Sequence, residues 1–153
     1  SNDISYFKKK FDIITLFHVL EHLPYQVSTL KLIKSKLNKN GKIIIEVPHA
    51  GDYLLSQDNF IEYRKYIFWS EHLIIHTYNS LKTILEYAGF NNINIKFYQR
   101  YNLSNHLGWL LNKQPGGHEI YKDLIANKLN YIYKENLVQE KKTDTIIAIA
   151  ENN

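Results

Sequence analysis

The sequence predicts an open α/β fold with a parallel sheet at its centre, and three observations predict it. Phe11–Phe17 is a short apolar run with the length and residue types of a strand buried on both faces. Val27, Leu30, Ile33 and Leu37 then recur at helical spacing. Lys42–Val47 is a second apolar run, and Pro48 stops it. A strand, a helix and a strand in that order form a right-handed crossover between parallel strands.

The remaining elements follow in order. Asn40-Gly41 is expected to close the first helix with a left-handed residue. Residues 50–76 are less regular and rich in aromatics (Tyr53, Phe60, Tyr63, Tyr66, Phe68, Trp69), a connecting segment or lid with short helical pieces. Thr77 or Asn79 caps a helix carrying Leu81, Ile84, Leu85 and Ala88, and Gly89 ends it. Asn92–Tyr98 alternates, with Ile93, Ile95 and Phe97 on one face, so it reads as a strand. Residues 101–117 read as a polar and aromatic loop ending in Pro115-Gly116-Gly117. A helix is expected from about His118 to Leu137, with Tyr121, Leu124, Ile125, Leu129 and Ile132 inside. Asp144–Ala150 is a last apolar strand.

Composition narrows the function classes. The chain has 153 residues, no cysteine and a net charge of +4. Cysteine nucleophiles, disulfides and cysteine-ligated zinc are excluded. The lysines are spread along the chain and only two arginines occur, Arg64 and Arg100, so no nucleic-acid footprint stands out. No apolar run approaches the roughly 20 residues of a membrane span, and no membrane partner is expected. Among seven histidines, His72 and His76 are four apart, but no zincin-type glutamate accompanies them.

An open α/β sheet holds its ligands at the C-terminal ends of its parallel strands. Those ends are His18–Leu23 and Pro48 onward. Phe11-Asp12-Ile13-Ile14 with His18-Val19-Leu20-Glu21-His22-Leu23 resembles the fourth strand, and the motif after it, of class I S-adenosylmethionine-dependent methyltransferases. Leu37, Asn40-Gly41 and Ile43–Pro48 resemble that family's fifth strand, with Lys39-Asn40 where Pro-Gly or Lys-Gly is usual. Trp69-Ser70-Glu71-His72-Leu73, Tyr78-Asn79-Ser80-Leu81 and Ala88-Gly89-Phe90 resemble the segment before its fifth helix and the exit from it. This ordered set covers residues 3 to about 100. Residues 99–118 are similar to an insertion found in bacterial methyltransferases of surface-polysaccharide or secondary biosynthesis.

The resemblance implies the C-terminal half of a Rossmann-like sheet, strands four to seven with the last antiparallel and helices on both faces. Residues 1–153 would be one partial domain, with 101–143 a substrate-side insertion before the last strand. The family's glycine-rich cofactor loop is expected upstream of this chain, in which Gly41 is the first glycine. The fragment alone is expected to bind cofactor weakly and to be inactive. Loss of the earlier strands would bare the edge at residues 11–17, so a homodimer through that edge is expected.

The implied reaction moves a methyl group from S-adenosylmethionine to a small-molecule acceptor in the cytoplasm, with no metal. Asp3 would accept from the adenine amino group, or is a solvated loop residue. Leu16, Phe17 and His18 would run along the cofactor's methionine portion. Glu21 either faces the cavity or pairs locally; His22 either shuttles a proton or supports the loop. His49 would point toward the acceptor, and His72 is the first choice for general base. Trp69, Arg100, Tyr101, Asn105, His106, Lys113 and His118 are candidates for acceptor binding, with Gly116-Gly117 as amide donors or a plain turn. The competing reading is a degenerate half-domain that binds a partner protein. A nucleotide-dependent dehydrogenase would need the same missing loop and has no support from the His-Val-Leu-Glu-His motif.

Overall fold

A computed structural model describes residues 8–57 and 60–153. Asp3 lies outside them. β1 (Phe11–Phe17) and β2 (Leu37–Pro48) run parallel, with Ile13 opposite Lys42, Leu16 opposite Ile45 and Phe17 opposite Glu46. With β3 (Asn91–Tyr98) and β4 (Thr145–Asn152) they form one four-stranded sheet in the order β1-β2-β4-β3. The alternation in β2 buries Leu37, Ile43, Ile45 and Val47 completely. α1 (Gln26–Lys36) packs on β2 and on α3 (Tyr78–Tyr87) through Leu30, Ile33, Leu81 and Leu85.

Local chemistry explains most boundaries. Thr77 is the cap of α3: its hydroxyl accepts from the Ser80 backbone N–H, and the Ser80 hydroxyl accepts from that of Thr77. Gly89 follows at φ 90°, the left-handed residue that ends the helix. α1 ends differently from expectation. Leu37 already belongs to β2, and Asn40, although left-handed at φ 61°, lies inside that strand. The helix ends without glycine: the Leu37 N–H closes its last turn on the Lys34 carbonyl, and Asn152 Nδ2 lies within hydrogen-bond distance of the carbonyls of Lys34, Leu37 and Asn38.

The edge strand departs from the sequence reading too. Phe11, Ile13 and Phe17 are 37%, 58% and 54% exposed, so β1 is not buried on both faces. Its apolar run is that of an inner strand, yet within the described sheet it has one neighbour.

The chain divides into two compact units. Ser1–Pro48, Leu73–Lys96 and Ile146–Asn153 make the first, which carries most of the sheet. His49–His72 and Phe97–Thr145 make the second. The second contains α2 (Ile61–Ile67), α4 (Leu103–Leu107) running on as a π-helical turn to Asn112, α5 (Gly117–Ile120) and α6 (Asn127–Gln139). Its core is Leu54, Leu55, Phe60, Tyr63 and Trp109.

Two expectations fail in this unit. Residues 103–112 are helical rather than loop, because the Asn102 side chain caps them by accepting from the Asn105 N–H at 3.0 Å. The long helix expected from His118 is broken between Ile120 and Asn127. A periodicity counted across that break loses its phase. Leu124, Leu129 and Ile132 are therefore exposed, and Leu137 is the buried residue of α6.

Candidate functional site

The first cluster of chemical interest lies in the sheet unit, at the C-terminal ends of β1 and β2. His18 follows β1 directly, and its N–H extends the ladder to the Glu46 carbonyl at 2.9 Å. Its φ is 51°, a left-handed conformation uncommon for a side-chain-bearing residue. The turn Leu20–His22 then brings Glu21 back under His18. His18 Nδ1 stands 3.4 Å from Glu21 Oε1, while His18 Nε2 donates to Glu46 Oε1 at 3.0 Å. His22 Nε2 is 3.9 Å from the same Glu21 oxygen.

Glu21 is fully buried, and its backbone carbonyl accepts from the N–H of Leu73. Burial pushes its pKa up, but His18 and His22 beside it outweigh that and hold it below the usual carboxylate range. Leu16 is 8% exposed and Phe17 lies half open on the edge strand. His76 takes no part in such chemistry. Its Nε2 donates to Gln26 Oε1 at 2.9 Å, its Nδ1 meets the Ser80 hydroxyl at 3.1 Å, and burial pushes its pKa down.

The second cluster lies in the other unit. Tyr63 and Tyr66, three apart on α2, meet Trp109 with ring centroids at 4.9 and 5.0 Å. With Tyr101 they wall a cavity of about 160 Å³, and Asn105 and His118 bring polar atoms to it. His118 Nδ1 donates toward Asn105 Oδ1 at 3.4 Å. The Pro115-Gly116-Gly117 stretch is a constraint of packing. Gly116 is left-handed at φ 98°, and a Cβ on Gly117 would collide with the Ser104 carbonyl and with Gly108.

A neighbouring cleft of about 560 Å³ is lined by Lys65, Tyr66, Trp69 and His72. His72 Nδ1 donates to the Ile67 carbonyl at 2.6 Å, and Trp69 meets the ring edge-on at 5.6 Å. In the neutral imidazole this puts the lone pair on Nε2, the form a general base needs.

Behind the aromatic wall is a buried polar network. Asp144 accepts from the N–H groups of Arg100 and Tyr101 and from Gln99 Nε2. Burial pushes its carboxyl upward, and those N–H groups offset part of that. His106 is 1% exposed. Its Nδ1 meets the Tyr133 hydroxyl at 2.7 Å, and Gln99 Nε2 donates to its Nε2. Burial lowers its pKa to about 4, so it is neutral at physiological pH. His49 is buried likewise; burial pushes its pKa down, and Nδ1 donates to the Thr143 carbonyl at 3.0 Å. Lys113 pairs with Glu62 at 3.6 Å on the surface, and the Arg100 guanidinium lies 5.8 Å from the Tyr101 ring centre. Of the residues expected to bind an acceptor, Tyr101, Asn105 and His118 line one cavity. Trp69 lines the cleft with His72.

Asp52 escaped the sequence reading altogether. The Tyr63 hydroxyl donates to its Oδ2 and the Leu54 N–H to its Oδ1. Burial raises its pKa to about 7, the Asp144 charge adds to this, and the two hydrogen bonds offset part. A pKa raised on folding means that protonated Asp52 favours the fold. That contribution is complete below the unfolded value near 3.8 and is lost as pH rises through 7, about 4 kcal/mol at most. A carboxyl-detected NMR titration should therefore find Asp52 with a midpoint near 7. A midpoint in the ordinary aspartate range, about 4, would contradict the burial argument.

A family model described as a methyltransferase domain matches residues 1–95. No curated protein matches. Among solved structures, a SAM-dependent methyltransferase from Archaeoglobus fulgidus is 20% identical at a TM-score of 0.56; the alignment covers 99% of this chain and 65% of that one. A SAM-dependent methyltransferase from Thermotoga maritima, titled a possible histamine N-methyltransferase, is 12% identical at 0.60, covering 98% and 61%. Phosphoethanolamine N-methyltransferase 2 of Haemonchus contortus, solved with S-adenosyl-L-methionine, is 14% identical at 0.53, covering 97% and 35%. The chain thus spans less than two thirds of the length of each. At these identities the likeness is one of fold.

Proposed function

This chain belongs to the methyltransferase domain family and has the fold of the class I S-adenosylmethionine-dependent enzymes, and from that premise we propose that it forms the acceptor-side half of a small-molecule methyltransferase. The observation that carries the reading is the aromatic cavity of Tyr63, Tyr66, Tyr101 and Trp109 with Asn105 and His118 beside it. An apolar wall with a few polar atoms suits a small acceptor that stacks on one face and is oriented at the other. Residues 101–143 are then a substrate-side insertion in one partial domain. A sugar or another precursor of surface polysaccharide or secondary metabolism suits the proposal.

Methyl transfer from a sulfonium is an in-line displacement: the acceptor's lone pair forms the new bond to carbon, and S-adenosylhomocysteine leaves with the sulfur's electron pair. The protein has to align the acceptor, exclude water and take up its proton. His72, with Nε2 carrying the lone pair, is the proposed base; His22 and His49 are the alternatives. Leu16, Phe17 and His18 are proposed to run along the methionine end of the cofactor, and Asp3 to hold the adenine amino group. The proposed setting is the cytoplasm. Among the described residues no helix is long and apolar enough to cross a membrane.

In the complete enzyme supplied with tritiated S-adenosylmethionine and candidate sugars, His72→Ala should slow turnover by roughly 10²- to 10⁴-fold, the contribution of a general base. An unchanged rate removes His72 from the chemistry. A second reading, a protein-binding or self-pairing half-domain, has one observation in its favour: Phe11, Ile13 and Phe17 stand exposed on the edge strand.

A further inference from the structure

We propose that the aromatic cavity of the second unit binds a cationic alkylammonium group of the acceptor, so that the acceptor carries an amine and, if it is a sugar, is an amino sugar. This rests on the reading of that cavity as the acceptor site and adds the charge of what enters it.

The walls come first. Tyr63 and Trp109 are 5% and 3% exposed and make the inner end of the cavity, while Tyr66 and Tyr101, at 51% and 43%, stand at its open side. The Trp109 plane lies at 78° to Tyr63 and 54° to Tyr66, so these rings meet as a corner and not as a stack. The face of an aromatic ring is negative and attracts a cation within about 6 Å of its centre. Rings set at steep angles around a void of about 160 Å³ let one small cation touch more than one of them. Among the described residues no lysine or arginine lines the cavity. The Arg100 guanidinium lies 5.8 Å from the Tyr101 ring centre, which leaves Tyr63, Tyr66 and Trp109 as the rings for the ligand.

Two buried carboxyl groups stand behind this wall. Asp52 accepts from the Tyr63 hydroxyl, and Asp144 accepts from the Tyr101 N–H at 2.9 Å. Negative charge there polarises the residues that face the ligand and favours a cation in front of them. Burial raises the Asp52 pKa to about 7, and a cation beyond the Tyr63 ring favours its charged form. The titratable groups facing Asp52 are Tyr63 from α2, Tyr133 from α6 and Asp144 before β4, with Lys134 acting on Asp144.

The supply of hydrogen bonds points the same way. A plain sugar brings a hydroxyl on most ring carbons, and each one buried without a partner is costly. The Tyr63 hydroxyl is committed to Asp52, and the Asn105 amide to the Asn102 turn and His118, so few polar atoms remain for several hydroxyls. An alkylammonium group needs ring faces and few acceptors, and this wall provides them.

The test uses the complete enzyme saturated with S-adenosylhomocysteine. Tetramethylammonium chloride is titrated in at constant ionic strength, with tert-butanol as a neutral probe of similar shape and methyl α-glucoside as a neutral sugar. Calorimetry gives the affinity, and the indole N–H resonances separate Trp109, in the cavity, from Trp69. Tetramethylammonium should shift Trp109 and bind at least about 10-fold more tightly than tert-butanol. Tyr66→Leu, at a half-exposed position, should weaken it at least about 5-fold. Asp52→Asn removes the charge and keeps an oxygen for the Tyr63 hydroxyl; it should weaken binding roughly 3- to 10-fold at about pH 8. By linkage, saturating tetramethylammonium should lower the Asp52 midpoint below 7. The proposal is overturned if tetramethylammonium binds no more tightly than tert-butanol, or if it shifts Trp69 and not Trp109. It is overturned equally if both variants bind like the parent enzyme. A Trp109 shift with methyl α-glucoside alone would remove the charge preference and keep the cavity as the acceptor site; silence of Trp109 toward every probe would remove both.

Discussion

Asp144→Ala is expected to remove about 3–5 kcal/mol of folding stability, more than most single substitutions cost. The carboxylate is 8% exposed and accepts from the Arg100 N–H at 2.9 Å, the Tyr101 N–H at 2.9 Å and Gln99 Nε2 at 2.7 Å. Alanine strips the acceptor from all three, and a buried donor left without a partner costs about 1–3 kcal/mol. Asp144→Asn keeps one carbonyl oxygen and should cost about half as much. Urea unfolding followed by far-ultraviolet circular dichroism measures both. A loss under about 1 kcal/mol for the alanine variant would mean that water replaces the carboxylate freely, and the network would then not hold the chain between β3 and α4.

Trp109→Ala comes next, with an expected loss of about 3–5 kcal/mol. The indole is 3% exposed, packs edge-on against Tyr63 and sits in the cluster with Leu54, Leu55 and Phe60. Truncation removes the transfer free energy of the ring and leaves a cavity that α2 cannot close without moving. Trp109→Phe retains a ring and should cost roughly 1–2 kcal/mol. The same unfolding experiment measures it. Because Trp109 also walls the proposed acceptor cavity, the phenylalanine variant of the complete enzyme should raise KM more than it lowers kcat. Near-parent stability of Trp109→Ala would place the indole outside the core that holds this unit together.

The parts of the fold that were legible in the sequence are those with a local cause. The apolar run at Phe11–Phe17, the helix cap, which falls on Thr77 of the two candidates Thr77 and Asn79, and the left-handed Gly89 each act within a few residues. The misreadings have distant causes. The end of α1, where Leu37 passes straight into β2, is also met by Asn152 from the last strand, at the Lys34 and Leu37 carbonyls. The break before α6 shifted the phase of its inner face, so Leu129 and Ile132 looked buried and are not.

The candidate sites divide in the same way. The spacing of His18, Glu21 and His22 just after a strand marked that stretch, since three residues within one turn cannot separate far. Glu46 carried no signal of its own; only the register of β1 on β2, with Phe17 opposite Glu46, brings its carboxylate to His18. Tyr63 and Tyr66 were visible in the sequence only as part of an aromatic-rich connecting segment with short helical pieces. Their meeting with Trp109, and the burial that raises the Asp52 pKa, depend on packing between segments more than 40 residues apart. By itself the sequence determined the strand–helix–strand framework and the methyltransferase resemblance, because both rest on periodicity and on short motifs. Which carboxylates lost their water, and which rings closed around a cavity, was decided by the tertiary structure, because desolvation belongs to the packed chain and to no residue alone.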